Sequence, residues 1–181
     1  AEAPFLRPEE LAQDGSNVID SMILTLKRLK EGQGYEPSHV MILQATSPLR
    51  EQEDIDACWK MINETDATTV LTVAATHPKL YHLSPENDTI LVNGSEKQSN
   101  NTQTWEPAYL LNGCTVYIIE TDALIVENSV ITKVTKAVEL PKWRSVDLDT
   151  IEEWVMAEVF FENKDRMKKQ IDQTEEEKRN I

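Results

Sequence analysis

The chain has 181 residues, 40% hydrophobic and 28% charged, enough apolar material for one domain with a sizeable core. Its 32 Asp and Glu outnumber 18 Lys and Arg, a net charge of −14, which counts against general binding to nucleic acid or an anionic membrane, since both want a basic surface. No apolar run reaches membrane-span length and no signal-peptide pattern opens the chain, so the expectation is a soluble, cytoplasmic protein.

In chain order, the sequence opens AEAPFLRPEELAQD, without methionine, and Phe5-Leu6 reads as the end of a strand whose earlier part is missing. The five glycines form neither GxGxxG nor GxxxxGK[ST], so the expectation is an N-terminally truncated chain with any phosphate loop elsewhere. From Ser16 to Lys30, Val18, Ile19, Met22, Ile23, Leu26 and Leu29 recur at helical spacing, with Asp14 to Ser16 as capping residues and Gly32 and Gly34 as the stop. HVMIL (39–43) reads as a buried strand, followed by the polar cluster Gln44 to Arg50 and a helix from about Glu51 to Asn63.

TTVLTVAAT (68–76) and CTVYIIE (114–120) read as further strands, the second leading into a short helix at Thr121 to Val126. Between them, residues 77–111 read as a β-arm or loop excursion outside the main sheet. WRSVDLDTIEEWVMAEVFF precedes or forms a last helix, with Ile151, Val155, Ala157, Glu158 and Phe161 as its half-apolar surface. Residues 162–181 read as a charged helix end or tail. Helices alternating with strands describe an α/β fold with a mainly parallel sheet. Cys58 and Cys114, 56 positions apart, match no metal or redox spacing and read as two thiols in a reducing compartment.

Three places can carry chemistry. In an open parallel sheet, ligands bind at the carboxyl ends of strands, which is where Gln44, Thr46, Ser47 and Arg50 fall. The Gln44 amide can serve a sugar or base edge, and the hydroxyls can bond phosphate or simply cap the next helix. Asp147 and Asp149, at i and i+2, point to one side and suit Mg²⁺ held with substrate phosphates, although helix caps and solvated acids also explain such pairs. Asn112-Gly113 is a turn pair before a strand.

Taken together, LRPEELAQD, MILQATSPLR, YLLNGCTVYI and SVDLDT, in this order, resemble the acylneuraminate cytidylyltransferase family, the CMP-sialic acid synthetases, from about Leu6 to Phe161. The resemblance implies a Rossmann-like, three-layer nucleotidyltransferase fold over 1–161, with residues 77–111 as an arm for homodimerisation and sugar binding. It implies transfer of CMP from CTP to a nonulosonic acid sugar, releasing pyrophosphate, with Mg²⁺ required. By the same resemblance Asp147 and Asp149 are catalytic and hold the metal. Arg7 lies on the nucleotide side, Gln44 contacts the sugar, and Ser47 and Arg50 complete that motif. Asn112 and Tyr117 are sugar-side, with one residue more between them than in many members. Lys79 reaches the sugar across the dimer, and Gln103 stands in an RRQ-type segment that reads Asn101-Thr102-Gln103 here. Ala45 replaces the usual proline and Leu148 the usual isoleucine. Two alternatives stay open: a non-catalytic relative acting as a binding or scaffold module, and a cytidylyltransferase for another keto-acid sugar.

Overall fold

The computed structural model describes residues 2–13, 15–92, 105–111 and 115–179. Gln103, Asn112, Gly113 and Cys114 therefore lie outside the described residues. Helix α1 (Val18–Gln33) begins at Asn17, whose side chain accepts from the Ile19 amide at 3.0 Å, rather than at the residues expected to cap it. It runs through Gly32 and stops at Gly34, whose φ of 65° is the left-handed conformation that glycine adopts without a Cβ penalty. Strand β1 (His39–Ile42), helix α2 (Gln52–Glu64) and strand β2 (Thr69–Thr76) follow in the expected order, but β1 is not the buried strand expected, since Met41 and the following Leu43 are exposed.

Beyond β2 the chain leaves the sheet. Among the described residues, strands β3 (Tyr81–Leu83) and β4 (Thr89–Leu91) pair only with each other, and β5 (Ala108–Leu110) returns to β2. The last part of the expected arm is thus an edge of the main sheet. Strand β6 (Tyr117–Glu120), helix α3 (Thr121–Glu127) and strand β7 (Thr135–Leu140) complete the sheet, and helices α4 (Ile151–Glu162) and α5 (Lys164–Arg179) close the chain.

The sheet is mixed, which corrects the expectation of a mainly parallel one. Strand β6 lies antiparallel between β1 and β2, β5 is antiparallel to β2, and among the described residues only β2–β7 is a parallel pair. The reason is the excursion: the chain leaves from the carboxyl end of β2 and comes back at that same end, so its return strands must run the other way. Strand β7, absent from the sequence reading, is the parallel partner supplied by the crossover through α3.

Because β7 occupies one edge of β2, β5 and β6 share the other, end to end. Leu110 pairs with Ala74 and Tyr117 with Leu71, and just before β6 the Thr72 amide donates to the Val116 carbonyl at 3.2 Å.

Alternation along the strands splits the core between the two faces. Val70 and Ile118 join Cys58 and Ile62 of α2 on one face, whereas Leu71, Tyr117 and Ile119 join Ile19 of α1 and Leu124 of α3 on the other. A third cluster, Leu49, Trp143, Val146 and Ala157, with Leu148, Phe160 and Met167 against it, fastens α4 and α5 to the loop after β1. The apolar face expected on α4 is only partly the buried one: Ala157 packs inward, while Ile151 and Phe161 are 72% and 62% exposed. The charged segment after Glu162 is a helix tied down through Met167 and Lys168.

Burial, and next the charge of Asp54, pushes the Cys58 thiol up to about 12. The thiolate is the reactive form. Cys58 is therefore expected to resist iodoacetamide at pH 8 until the protein is unfolded, read by peptide mass mapping; modification of the native protein would contradict this burial.

Candidate functional site

The polar end of β1 is a shaped loop. A turn brings the Ser47 amide to the Gln44 carbonyl at 3.4 Å, and the Thr46 hydroxyl donates to the Gln44 amide oxygen at 3.3 Å. Arg50 fixes the turn from beneath: its Nη2 donates to the Gln44 carbonyl at 2.6 Å and its Nε to the Thr115 carbonyl. Two of its donors are thus committed to backbone, and burial lowers its pKa, with Asp54 opposing. The Gln44 side chain stays exposed at the strand's end, while the Ser47 hydroxyl is buried without a hydrogen-bond partner.

The acid pair lies against this loop. The Leu148 amide donates to the Thr46 carbonyl at 2.9 Å, so the segment carrying Asp147 and Asp149 runs beside Gln44 to Ser47, joining positions a hundred residues apart in sequence. Leu148 turns into an apolar cavity of about 230 Å³ shared with Pro48, Leu49, Trp154, Ala157 and Phe161.

Neither acid serves as the helix cap. Thr150 and Glu153 form the capping box of α4, with Glu153 Oε2 accepting from the amides of Asp149 at 3.0 Å and Thr150 at 2.8 Å. Those bonds, the Thr150 side chain first and the backbone amides with it, hold the Glu153 carboxyl below the usual carboxylate range. Asp147 Oδ1 is buried with no hydrogen-bond partner, and Asp149 is exposed. An orphaned carboxylate oxygen beside a second, free carboxylate suits a hard cation that takes its remaining ligands from water and phosphate. Among the described residues no group of three or more His, Cys, Asp or Glu gathers in a metal-holding arrangement, so the acidic ligands they offer there are this pair.

Behind the loop is an ionic cluster that the sequence reading missed. Arg144 directs Nη1 to Glu51 Oε2 and Nη2 to Asp54 Oδ1, both at 2.8 Å, and Lys168 of α5 reaches Glu51 Oε1 at 2.7 Å. Asp54 Oδ2 also accepts from the Glu51 amide at 2.9 Å, closing the start of α2. The Asp54 side chain is 1% exposed and that of Arg144 15%. Burial raises the Asp54 pKa despite the guanidinium, whereas for Glu51 burial is outweighed by Lys168 and Arg144 and its pKa falls. The acid three residues into α2 was a readable capping signal; the arginine 93 positions beyond Glu51 was not.

The remaining expected residues lie apart. Arg7 is exposed on a segment strapped to α1 by Arg28, which donates to the Leu6 carbonyl at 3.3 Å and stacks over Phe5. Lys79, just past β2, sits 4.2 Å over the Trp105 ring, and the His77 ring meets Trp105 edge-on. Tyr117 departs from its expected place beside a sugar: it is 2% exposed and packs among Ile19, Leu71, Ile119 and Leu124. Its position in β6 puts its side chain on the α1 face of the sheet, away from open surface. No helix among the described residues is long and apolar enough to cross a membrane.

No family model matches the chain. It is 30% identical over 164 residues to the CMP-N,N'-diacetyllegionaminic acid synthase of Legionella pneumophila, covering 90% of this chain and 70% of that one. It is 28% identical over 162 residues to the N-acylneuraminate cytidylyltransferase of Streptococcus agalactiae serotype V, of whose length it spans 38%. Among solved structures, the 4-diphosphocytidyl-2C-methyl-D-erythritol synthase of Anaerococcus prevotii superposes with a TM-score of 0.52 over 82% of this chain and 68% of that one; at 10% identity this is a likeness of fold.

Proposed function

The chain belongs to the acylneuraminate cytidylyltransferase family, and we propose that it transfers CMP from CTP to a nine-carbon keto-acid sugar of the sialic or legionaminic type, releasing pyrophosphate. One observation carries the reading beyond similarity: the Leu148–Thr46 hydrogen bond, which sets the acid pair beside the polar end of β1. A strand's carboxyl end with amide and hydroxyl groups on one side and two carboxylates on the other can seat a sugar and a metal–nucleotide together.

In this reading Gln44 orients the sugar through its amide, and Arg50 acts indirectly, by holding the Gln44 carbonyl. Asp147 and Asp149 would hold Mg²⁺, which when bound neutralises phosphate charge and orients the triphosphate. The protein's own contribution is placement: the anomeric hydroxyl has to be held in line with the α-phosphorus, which removes the entropy of bringing two reactants together. Arg7 would supply a cationic side chain to the nucleotide, and Lys79 one to the sugar across the dimer. The exposed Tyr81, Leu83, Tyr109, Leu110 and Leu111 on the arm and its return strand support a homodimer formed through that arm.

The test is pyrophosphate release from CTP and Mg²⁺ with N-acetylneuraminate, a legionaminic acid or an eight-carbon keto-acid sugar. Release with a nine-carbon acid supports the proposal, release only with the eight-carbon one moves it to the related reaction, and none with any sugar leaves the non-catalytic alternative. Gln44→Ala is expected to raise the sugar KM about ten-fold or more while changing the CTP KM little, as for loss of one substrate hydrogen bond. Equal effects on both KM values would move Gln44 away from the sugar.

A further inference from the structure

We infer that Arg144 is a positioning residue that fixes the Asp147–Asp149 segment against the Gln44–Arg50 loop. Its catalytic consequence rests on the function proposed above; its geometry does not. The loop and the acid segment are joined directly by one backbone bond, Leu148 to Thr46. Packing of Leu49 against Trp143, Val146 and Leu148 adds buried apolar area between the two segments, but such contact is non-directional. Arg144, three residues before Asp147, supplies a further, forked attachment: Nη1 of its planar guanidinium donates to Glu51 Oε2, and Nη2 lies 2.8 Å from Asp54 Oδ1 as an ion pair outside hydrogen-bond geometry.

The attachment continues toward the substrate side. Glu51 adjoins Arg50, which in turn holds the Gln44 and Thr115 carbonyls. Arg144 and Lys168 together balance the charges of Glu51 and Asp54, so the cluster is neutral overall and does not compete for the cation assigned to Asp147 and Asp149.

Stability alone is a poor reason for such a cluster. Taking charges out of water costs nearly as much as their pairing returns, and apolar replacements of whole buried clusters are often neutral or stabilising. Arg144 Nε is, moreover, buried without a partner. What apolar side chains would not supply is a direction, and the fork supplies one.

The experiment compares the parent protein with Arg144→Met/Asp54→Asn, which removes both partners of the buried pair and leaves Glu51 to Lys168, and with Arg144→Lys, which keeps the charge without the fork. Hydrogen–deuterium exchange of residues 44–50 and 145–149 is measured alongside melting temperature and steady-state kinetics. The double variant is expected to stay folded, to exchange at least about ten-fold faster in those two segments than the parent, and to keep the protection of the β1–β6 and β2–β7 ladders. Its kcat should fall roughly 10- to 100-fold, the scale of a misplaced reacting group, with both KM values within about two-fold, and Arg144→Lys should recover part of that loss. Unchanged exchange, or a kcat loss that tracks melting temperature alone, overturns the inference. If the double variant does not fold, Arg144→Lys carries the same comparison against the parent. If the parent releases no pyrophosphate, the exchange result still decides the role of Arg144, and it is the proposed function that falls.

Discussion

Asp149→Asn is expected to lower pyrophosphate release about 10²- to 10³-fold, the usual scale for removing one charge-stabilising group, while leaving the melting temperature within about 2 °C of the parent. The separation of the two effects follows from the capping arrangement. Thr150 and Glu153 satisfy the amides at the start of α4 without help from the Asp149 carboxylate, which is exposed. Asparagine keeps its shape and removes only the charge. Asp147→Asn should behave differently in one respect. One of its oxygens is buried without a partner, so neutralising it removes a desolvation cost, and stability is expected to hold or rise as activity is lost. Calorimetry beside a pyrophosphate assay reads both, and undiminished turnover in either variant would end the assignment of the pair.

The largest expected loss of stability is at Trp143. Its side chain is buried among Leu49, Val146 and Ala157, where the loop after β1, the segment leading to the acids and α4 meet. Trp143→Ala removes the largest member of a small cluster, and about 3–5 kcal/mol is expected from urea unfolding. Trp154 is the internal control. It lies on α4 and is 52% exposed, so Trp154→Ala should cost less than about 1 kcal/mol. Similar losses at both positions would show that the third cluster does not hold the helix to the domain.

Local patterns made much of this legible. The spacing of Ile19, Met22, Ile23 and Leu26 is the face of α1 that packs, and the apolar stretch at Val70 and Leu71 is a strand covered on both sides. Strand β7 escaped because Lys136 and Glu139 break its apolar character, and only its partner β2 makes it a strand. Strand direction escaped for a related reason: it is set by where the arm returns, and no pattern in VYIIE encodes that. In the site, the polar end of β1 and the acid pair could be read as motifs, and the Leu148–Thr46 bond places them side by side. Arg50 was placed against substrate on sequence grounds, but two of its donors go to backbone carbonyls. Tyr117 was misjudged because a tyrosine in a strand looks alike from either face; register alone turns it into the core.

The end-to-end arrangement of β5 and β6 bears on how such a protein can change. Both flanks of the intervening six residues are pinned to β2 by their own ladders, Leu110 to Ala74 and Tyr117 to Leu71. Residues gained or lost between those pins alter the contour length of one span and shift no side chain elsewhere in the sheet to the opposite face, as a slip within a paired strand would. The end of that span is tied twice, the Thr115 carbonyl to Arg50 and Val116 to Thr72 within the core cluster of Cys58 and Val70. A lineage that changes length before Thr115 thus keeps the sheet's facing intact, whereas a change at Thr115 or Val116 reaches the end of β1 and the core together.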